Sequence, residues 1–475
     1  MTDDRPHTPP APPPPVAQTA LPAQPSHFAP GPFAPPPPPP WFRPPAASGR
    51  SLAPDLARGF MLLLIAAANS TYYLWGHDAS LYSPHPRDGS PLDRALQFLM
   101  SVAVDGRIYP LFALLFGYGM VQLARSRVGR GWPPGAIRRA LNRRHTWLLL
   151  FGFVHALLLF GGDILGAYGL TGLILVALLF NAKDATIRIV IVVCAALSLG
   201  GGLLSAATAL GLGLWLASDP VLAAEVAQSL ETNWFGSMAD SVSGQSNYAI
   251  AALFRVVMWL VSTPGVVLGL TVPAMVLLGW LAARHGVLEN PAAHRTLLRR
   301  VALWGILIGW AGGVPMGLVH AGVWTLSDTV GWGPLVLMYA LGPFAGVGYA
   351  AAFALLALRL GAKPGRLAPV AALGRRSLSG YLAQSLVMAP LLAAWGFGVG
   401  TQVNTTGGLA IALGVWLLSV GLAWWLESTG RPGPFETLLR RLIGRPDAVA
   451  APPAPPPHRP VAGGPAGATG ASGSR

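Results

Sequence analysis

The sequence predicts an all-α fold, a polytopic bundle of about ten transmembrane helices with both termini in the cytoplasm. Of the 475 residues, 53% are hydrophobic and only 11% are charged, less than half of the ~25% that soluble domains usually carry. The apolar residues form blocks of about 20, the length of helix that crosses a bilayer. Arginines are concentrated in alternate loops between these blocks, as in multi-pass membrane proteins.

Ten apolar blocks are long enough to be considered as spans. They lie at about 57–75, 107–124, 145–161, 164–181, 188–216, 264–282, 301–320, 334–358, 371–396 and 408–426. The fifth block is long enough to tilt, or to break at Gly200-Gly201-Gly202. The stretch 248–263 is also apolar and is either an interfacial helix or a half-span, so the count of ten carries an error of one.

The loop charges set the expected orientation. Arginine-rich loops at 125–144, 283–300 and 359–370 alternate with loops that are poor in arginine and richer in acids. The positive-inside rule then places both termini in the cytoplasm of a cell membrane protein. This topology explains the formal charge of +14, so the lipid bilayer is the expected partner and nucleic acid is not.

The two ends differ in composition from the apolar middle. Residues 1–50 are dominated by Pro and Ala, and residues 446–475 by Pro, Gly and Ala. Such segments cannot bury a core and lack donors for regular structure, so they are expected to be disordered tails. The transmembrane domain is therefore expected to occupy residues 51–445.

Polar residues inside a bilayer are costly, and each is a functional candidate. The outer candidates are Asn69, His77, His155 and Asp163, the last in the turn Gly161-Gly162-Asp163. His155 and Asp163 flank one small turn and are expected to form an acid–base pair, with Asp163 orienting the imidazole. In the alternative interpretation, His155 binds a neighbouring helix and Asp163 caps the next span. Further polar residues at outer span ends are Asp105, Arg107 and His320.

An inner group of candidates lies near the arginine-rich loops. Asp55 and Arg58 are three residues apart, so on a helix they share a face and can pair. The functional interpretation is a cationic mouth that holds a phosphorylated ligand, and the alternative is a helix-start pair plus topological charge. No Cys/His spacing typical of a metal site is present, and no bound cofactor is expected. The other members of this group are Arg143, Arg144, Arg375, Arg376, Tyr381 and Gln384.

Five motifs in order resemble a bacterial membrane family, the DUF418 or YeiB-like proteins, across about residues 50–445. Any one motif is weak, whereas five in the right order are specific. The motifs are Asp55-Leu-Ala-Arg-Gly-Phe60 with Asn69; Tyr109-Pro-Leu-Phe-Ala-Leu-Leu-Phe-Gly-Tyr-Gly119; Arg143-Arg144 through His155 to Gly162-Asp163-Ile-Leu165 and Tyr168; Gly374-Arg375-Arg376-Ser377 through Tyr381 to Gln384-Ser385; and Gly433-Pro-Phe-Glu436 through Arg440-Arg441-Leu442.

This resemblance implies a distant similarity to transmembrane acyltransferases of the heparan glucosaminide acetyltransferase group. Those enzymes open with Asp-x-x-Arg-Gly and an Asn at the separation of Asp55 from Asn69, followed by a catalytic His. Here His77 comes a few residues earlier than that His, which makes His155 with Asp163 the obvious substitute.

The implied activity moves an acyl group from a cytoplasmic acyl-CoA co-substrate to an outward-facing acceptor of the cell envelope. In that reaction His155 or His77 would take the acceptor proton, Asp163 would orient it, and Asn69 would stabilise the oxyanion. The alternatives are a small-solute transporter or exporter, suggested by interruptions at Gly200–Gly202 and Pro264-Gly265, and a structural role in envelope assembly.

Overall fold

A computed structural model describes residues 52–78, 83–229, 239–327, 329–361 and 365–444. The predictions for both tails, 1–50 and 446–475, lie outside these ranges. The regular elements within them are helices, so the all-α class is confirmed. They are α1 Leu52–Ser70, α2 Pro91–Ala103, α3 Ile108–Val128, α4 Pro134–Leu158, α5 Leu165–Leu179, α6 Asp184–Ala217, α7 Pro220–Ser229, α8 Tyr248–Leu268, α9 Thr271–Arg284, α10 Arg295–His320, α11 Trp332–Leu360, α12 Ala368–Arg375, α13 Ser377–Leu392, α14 Thr405–Ser428 and α15 Pro434–Ile443.

Many of these helices are long and apolar enough to cross a membrane. In the described part of the chain there are seven such candidates: α1 with its 3-10 extension to Tyr73, α2 and α3 taken together, α6, α8, α10, α11 and α14. The shorter apolar helices are α5, α9 and α13. This set of candidate spans indicates an integral membrane protein, as the sequence predicts.

The chain is interrupted at a different place from those expected. Gly200–Gly202 lie inside α6, which continues without a break, and Pro264 lies inside α8. The interruption comes at Gly269 and Leu270, where Leu270 adopts a left-handed φ of 62° before α9 begins. A helical glycine costs only about 1 kcal/mol relative to alanine, whereas breaking a helix in hydrocarbon leaves several backbone groups unsatisfied.

The apolar stretch 248–263 is helical. It forms most of α8, a helix of 21 residues that is long enough to span. The predicted sixth span, 264–282, is therefore divided between the last turn of α8 and α9. α9 runs parallel to α3, because their corresponding ends are in contact. Arg125 at the end of α3 donates a hydrogen bond to the Arg284 carbonyl at the end of α9. Thr271 at the start of α9 interacts with Tyr109 at the start of α3.

Small residues allow the helices of the bundle to pack closely. α10 and α11 form the most extensive contact, in which Gly305 and Gly309 lie directly against the backbone at Phe344 and Ala345. Gly279 of α9 packs in the same way on α3. Such contacts replace the hydrophobic driving force, which is absent between helices in lipid.

Substituting Gly309 with Leu is expected to reduce the free energy of unfolding by about 1–3 kcal/mol, because the new side chain overlaps Ala345. The measurement is denaturant unfolding of the purified protein in mixed micelles. Gly414→Leu is the matched control, since that position in α14 has open space around it. An equal loss in both variants would contradict close α10–α11 packing.

Candidate functional site

His155 and Asp163 form a buried hydrogen-bonded pair. His155 lies near the end of α4 and Asp163 in the turn that leads into α5. The distance from His155 Nδ1 to Asp163 Oδ1 is 2.8 Å, and the two residues are 2% and 4% exposed. The two side chains are therefore in direct contact, as their positions around one small turn predict. A polar pair at this depth must satisfy its own hydrogen bonds, because no bulk water reaches it.

The carboxylate of Asp163 has two further donors. Its Oδ2 accepts a hydrogen bond of 2.7 Å from the backbone N–H of Gly166 in the first turn of α5. Its Oδ1 also accepts from the Tyr381 hydroxyl at 3.3 Å. Asp163 thus caps the start of α5 and orients His155 at the same time, so the two interpretations made from the sequence are compatible.

These contacts determine the tautomer that the hydrogen-bond network favours. Both oxygens of Asp163 act as acceptors, which is the role of an ionised carboxylate. The proton of the His155–Asp163 hydrogen bond is then assigned to His155 Nδ1. Nε2 of the neutral imidazole carries the lone pair, and this buried atom has no hydrogen-bond partner within the described residues. Nε2 is therefore the ring nitrogen that can accept a proton from another molecule.

Gly152 allows the pair to form. It lies on α4, one turn before His155, at the point where α4 meets the start of α5. A Cβ at this position would overlap the Asp163 carboxylate and the backbone nitrogen of Gly166. Only glycine therefore permits the approach that joins the two side chains.

A small cavity lies beside the pair. It is lined in part by Tyr72, Tyr73, Phe160, the following glycines and Arg255, and its volume of about 20 Å³ holds roughly one water. The Phe160 ring lies 6.3 Å from the His155 ring and 5.4 Å from the Tyr73 ring, between centroids. The cavity is therefore lined by an aromatic residue, Phe160, that neighbours the imidazole.

Among the described residues, no hydrogen bond joins Asn69 or His77 to this pair. Asn69 is half-buried on α1, and its side chain makes no hydrogen bond with another described residue. His77 follows the 3-10 turn after α1. Its Nδ1 lies 3.0 Å from an Asp88 oxygen and its Nε2 lies 3.3 Å from the Gly400 carbonyl. Both ring nitrogens of His77 therefore lie within hydrogen-bond distance of protein oxygens, which is not the case for Nε2 of His155.

The inner candidates include a group of close cations. Asp55 and Arg58 pair at 4.0 Å, as their spacing predicts. The Arg144 guanidinium lies over the Phe116 ring at 4.7 Å, and Arg58 and Arg127 are close enough to repel its charge. Among the described residues Arg144 has no acidic partner. A cationic cluster of this kind favours an anionic ligand.

Other inner candidates are occupied by structural contacts. Arg375 and Arg376 both bind the Glu427 carboxylate at 2.6 Å, so their charge is partly neutralised by a residue that the sequence reasoning missed. Arg143 is exposed and donates a long hydrogen bond of 3.5 Å to the Ile443 carbonyl. Gln384 donates a bond of 2.9 Å to the Leu62 carbonyl of α1.

Tyr381 does not belong with the inner group, where the sequence placed it. Its hydroxyl reaches Asp163, and its ring lies 5.1 Å from the His155 ring between centroids. Its contacts therefore join it to the His155–Asp163 pair and not to the other inner candidates. Tyr381 starts the second turn of α13, and its long side chain extends to the turn between α4 and α5.

A second histidine–carboxylate cluster was not predicted as a unit. His85 Nε2 lies 2.9 Å from an Asp105 oxygen, and the His85 and His320 rings are in edge contact at 4.9 Å. His320 Nδ1 lies 2.7 Å from the Ser101 hydroxyl, which donates to the Gln97 carbonyl. Asp105 and His320 were noted from their positions at span ends, whereas His85 lies in a loop and gave no signal.

The described ranges contain no group of three or more His, Cys, Asp or Glu side chains placed to hold a metal ion.

Comparisons with known proteins confirm the family resemblance. Residues 282–446 match the model of DUF418, a family described as proteins of unknown function. The chain is 28% identical to the uncharacterized protein YeiB of Escherichia coli over 408 residues, which cover 83% of this chain and 97% of YeiB. It is 26% identical to the uncharacterized protein YxaH of Bacillus subtilis over 356 residues, covering 74% and 82%. No solved structure gives a significant match.

Substituting Asp163 with Asn is expected to lower the free energy of unfolding by about 1–3 kcal/mol, because at least one buried donor loses its charged acceptor. The measurement is unfolding in mixed micelles. The control is Asp88→Asn, whose carboxylate binds His77 but has a side chain 51% exposed, and which should cost less than about 1 kcal/mol. Equal losses would show that the His155–Asp163 pair is not buried as described.

Proposed function

We propose that this membrane protein, whose residues 282–446 belong to the DUF418 family, is an acyltransferase that uses His155 as its general base. The single observation that carries the proposal is the buried imidazole whose Nδ1 is bound to Asp163 while its Nε2 has no partner among the described residues. His155 is preferred to His77 because both nitrogens of His77 already face acceptors.

The proposed reaction has one proton transfer in each direction. Nε2 of His155 removes the proton from an acceptor hydroxyl, whose oxygen attacks the thioester carbon of an acyl-CoA. The tetrahedral intermediate expels the CoA sulfur, which takes the proton back from the imidazolium. The products are the acylated acceptor and free CoA thiol. Asp163 holds the imidazole in place and supports its positive charge, and Asn69 is the proposed oxyanion donor.

The donor would enter from the inner cationic group. Arg144 and His155 are eleven residues apart on α4, which is about three turns, so they share a face and lie about 16 Å apart along the axis. A donor whose phosphates bind near Arg144 must therefore reach His155 with an extended arm. Phe116 packs against Arg144 and Tyr168, and Tyr168 in turn packs on Phe112, so this path is lined by aromatic rings.

The proposal includes the expected topology of ten spans with both termini in the cytoplasm of the cell membrane. α8 and α9, separated only by the interruption at Leu270, would together form one span. With α1, α3, α4, α5, α6, α10, α11, α13 and α14 this gives ten crossings. The inner arginines then face the acyl-CoA pool, and the acceptor approaches from the opposite side.

A small-solute transporter is the second candidate function. The observation that favours it is the interrupted helix at Leu270, since broken spans commonly line substrate sites of transporters. The buried pair His155–Asp163 and the partly buried pair His85–Asp105 would then carry protons coupled to transport.

The transferase proposal predicts that purified protein releases thiol from acetyl-CoA in the presence of an envelope extract that contains acceptors. His155→Ala should reduce the rate by a factor of about 100–10,000, the usual contribution of a general base. The measurement is free-thiol release together with transfer of radiolabelled acetyl groups. His77→Ala serves as the control and should retain the activity.

The same assay separates the two candidate functions. Two results together would refute the transferase and support transport. The protein would neither bind acetyl-CoA nor release thiol, and proteoliposomes would show proton-driven solute uptake that is lost in His155→Ala. Equal transferase activity in wild type and His155→Ala would remove His155 from the mechanism.

Arg144→Gln is expected to raise the KM for acetyl-CoA by a factor of about 10–100 with little change in kcat, because it removes a charged contact to the donor's phosphates. Arg138→Gln is the control, since Arg138 lies on the same helix but is exposed. An unchanged KM in Arg144→Gln would place the donor site elsewhere.

A further inference from the structure

A large cavity lies between the start of α10 and the end of α11, away from His155 and Asp163. Its volume is about 490 Å³. Three arginines from two helices contribute to its walls, together with apolar side chains. The lining residues are Ala292, Arg295, Arg299, Leu355, Leu358 and Arg359.

The three arginines of this cavity are exposed, and their side chains have no partner in the part of the chain that the structure describes. Arg295 and Arg299 are one turn apart on α10, and Arg359 lies in the last turn of α11. Within the described ranges, none of their side chains forms a hydrogen bond or an ion pair. Three guanidinium groups around one space repel each other, and an anion inside that space would offset the repulsion.

The apolar surroundings point to the kind of anion. Leu355 and Leu358 line the cavity itself. Beyond Arg299, the same face of α10 continues through Leu303, Leu307 and Trp310, which are 56%, 47% and 41% exposed. These positions follow the helical repeat. A strip of exposed apolar side chains that begins at a cationic cavity matches a molecule with an anionic head and a hydrocarbon tail.

The frame of the cavity is held by close helix packing. Gly305 of α10 lies against the backbone of Gly348 and the carbonyl of Phe344 on α11. This contact fixes the separation of the two helices about one turn beyond the last arginine of α10. The cavity is therefore formed before a ligand enters, which lowers the entropic cost of binding.

We propose that this cavity binds the phosphate headgroup of an anionic phospholipid from the leaflet next to the arginine-rich loops. The phosphodiester lies among Arg295, Arg299 and Arg359, and one acyl chain follows Leu303, Leu307 and Trp310. A soluble phosphorylated compound shares the headgroup chemistry but would leave the apolar strip unused. This site is independent of the proposed transferase reaction, because it shares no residue with the His155–Asp163 pair.

The test uses the full-length protein in nanodiscs, with phosphatidylglycerol or phosphatidylcholine added as the probe lipid and bound lipid counted by native mass spectrometry. The variant carries Arg295→Gln, Arg299→Gln and Arg359→Gln. The matched control carries Arg130→Gln, Arg138→Gln and Arg139→Gln, which removes the same charge from exposed positions outside the cavity. A separate titration with inorganic phosphate tests a soluble occupant.

The proposal expects retention of phosphatidylglycerol over phosphatidylcholine in wild type and in the control, and at least a tenfold weaker retention in the cavity variant. Equal retention in both triple variants would overturn it, because the attraction would then come from net charge alone. Displacement of the lipid by millimolar inorganic phosphate, or phosphate binding without lipid preference, would also overturn it in favour of a soluble anion. Thermal unfolding of the lipid-free variants checks that each is folded.

Discussion

The hydrogen bond between His155 Nδ1 and Asp163 Oδ1 is the interaction on which the rest of the candidate site depends. In a low-dielectric interior, an unpaired imidazole or carboxylate would cost several kcal/mol. The fold therefore surrounds this bond with supporting contacts: Gly152 lets α4 approach the turn, Gly166 donates its N–H to the carboxylate, and Tyr381 adds a third donor. What remains unsatisfied is the one atom that a base needs to have free, Nε2 of the imidazole.

The arginines expected on the inner side differ in their neighbours. Arg375 and Arg376 share the Glu427 carboxylate and join α12 and α13 to the end of α14. Their partner compensates part of their charge, which suits a structural role. Arg144 lies against an aromatic face and His145 and has no acidic partner among the described residues, and such a cation retains its attraction for a phosphate group. The distinction depends on which arginines have acidic neighbours. The expected topology does not make this distinction, because it assigns all of these arginines to the same side of the membrane.

Spacing along the chain predicted the local pairs, because a helix or a tight turn brings near neighbours together. Asp55 with Arg58 and His155 with Asp163 were both found in this way. Contacts between residues far apart in the sequence were harder to predict. The sequence grouped Tyr381 with the inner candidates by its position along the helix, whereas the length of its side chain decides which residues it contacts. At the interruption, the residue with positive φ is Leu270. Because it is neither glycine nor proline, no sequence signal located it.

The tautomer of His155 tests the central claim most directly. Nitrogen-15 spectra of histidine-labelled protein in bilayers, compared with spectra of His155→Gln, identify the His155 ring nitrogens by their loss. The account predicts a protonated, hydrogen-bonded Nδ1 and a bare Nε2. A proton on Nε2 with a bare Nδ1 would contradict it, because the imidazole would then have no hydrogen bond to offer Asp163 and no lone pair facing a substrate.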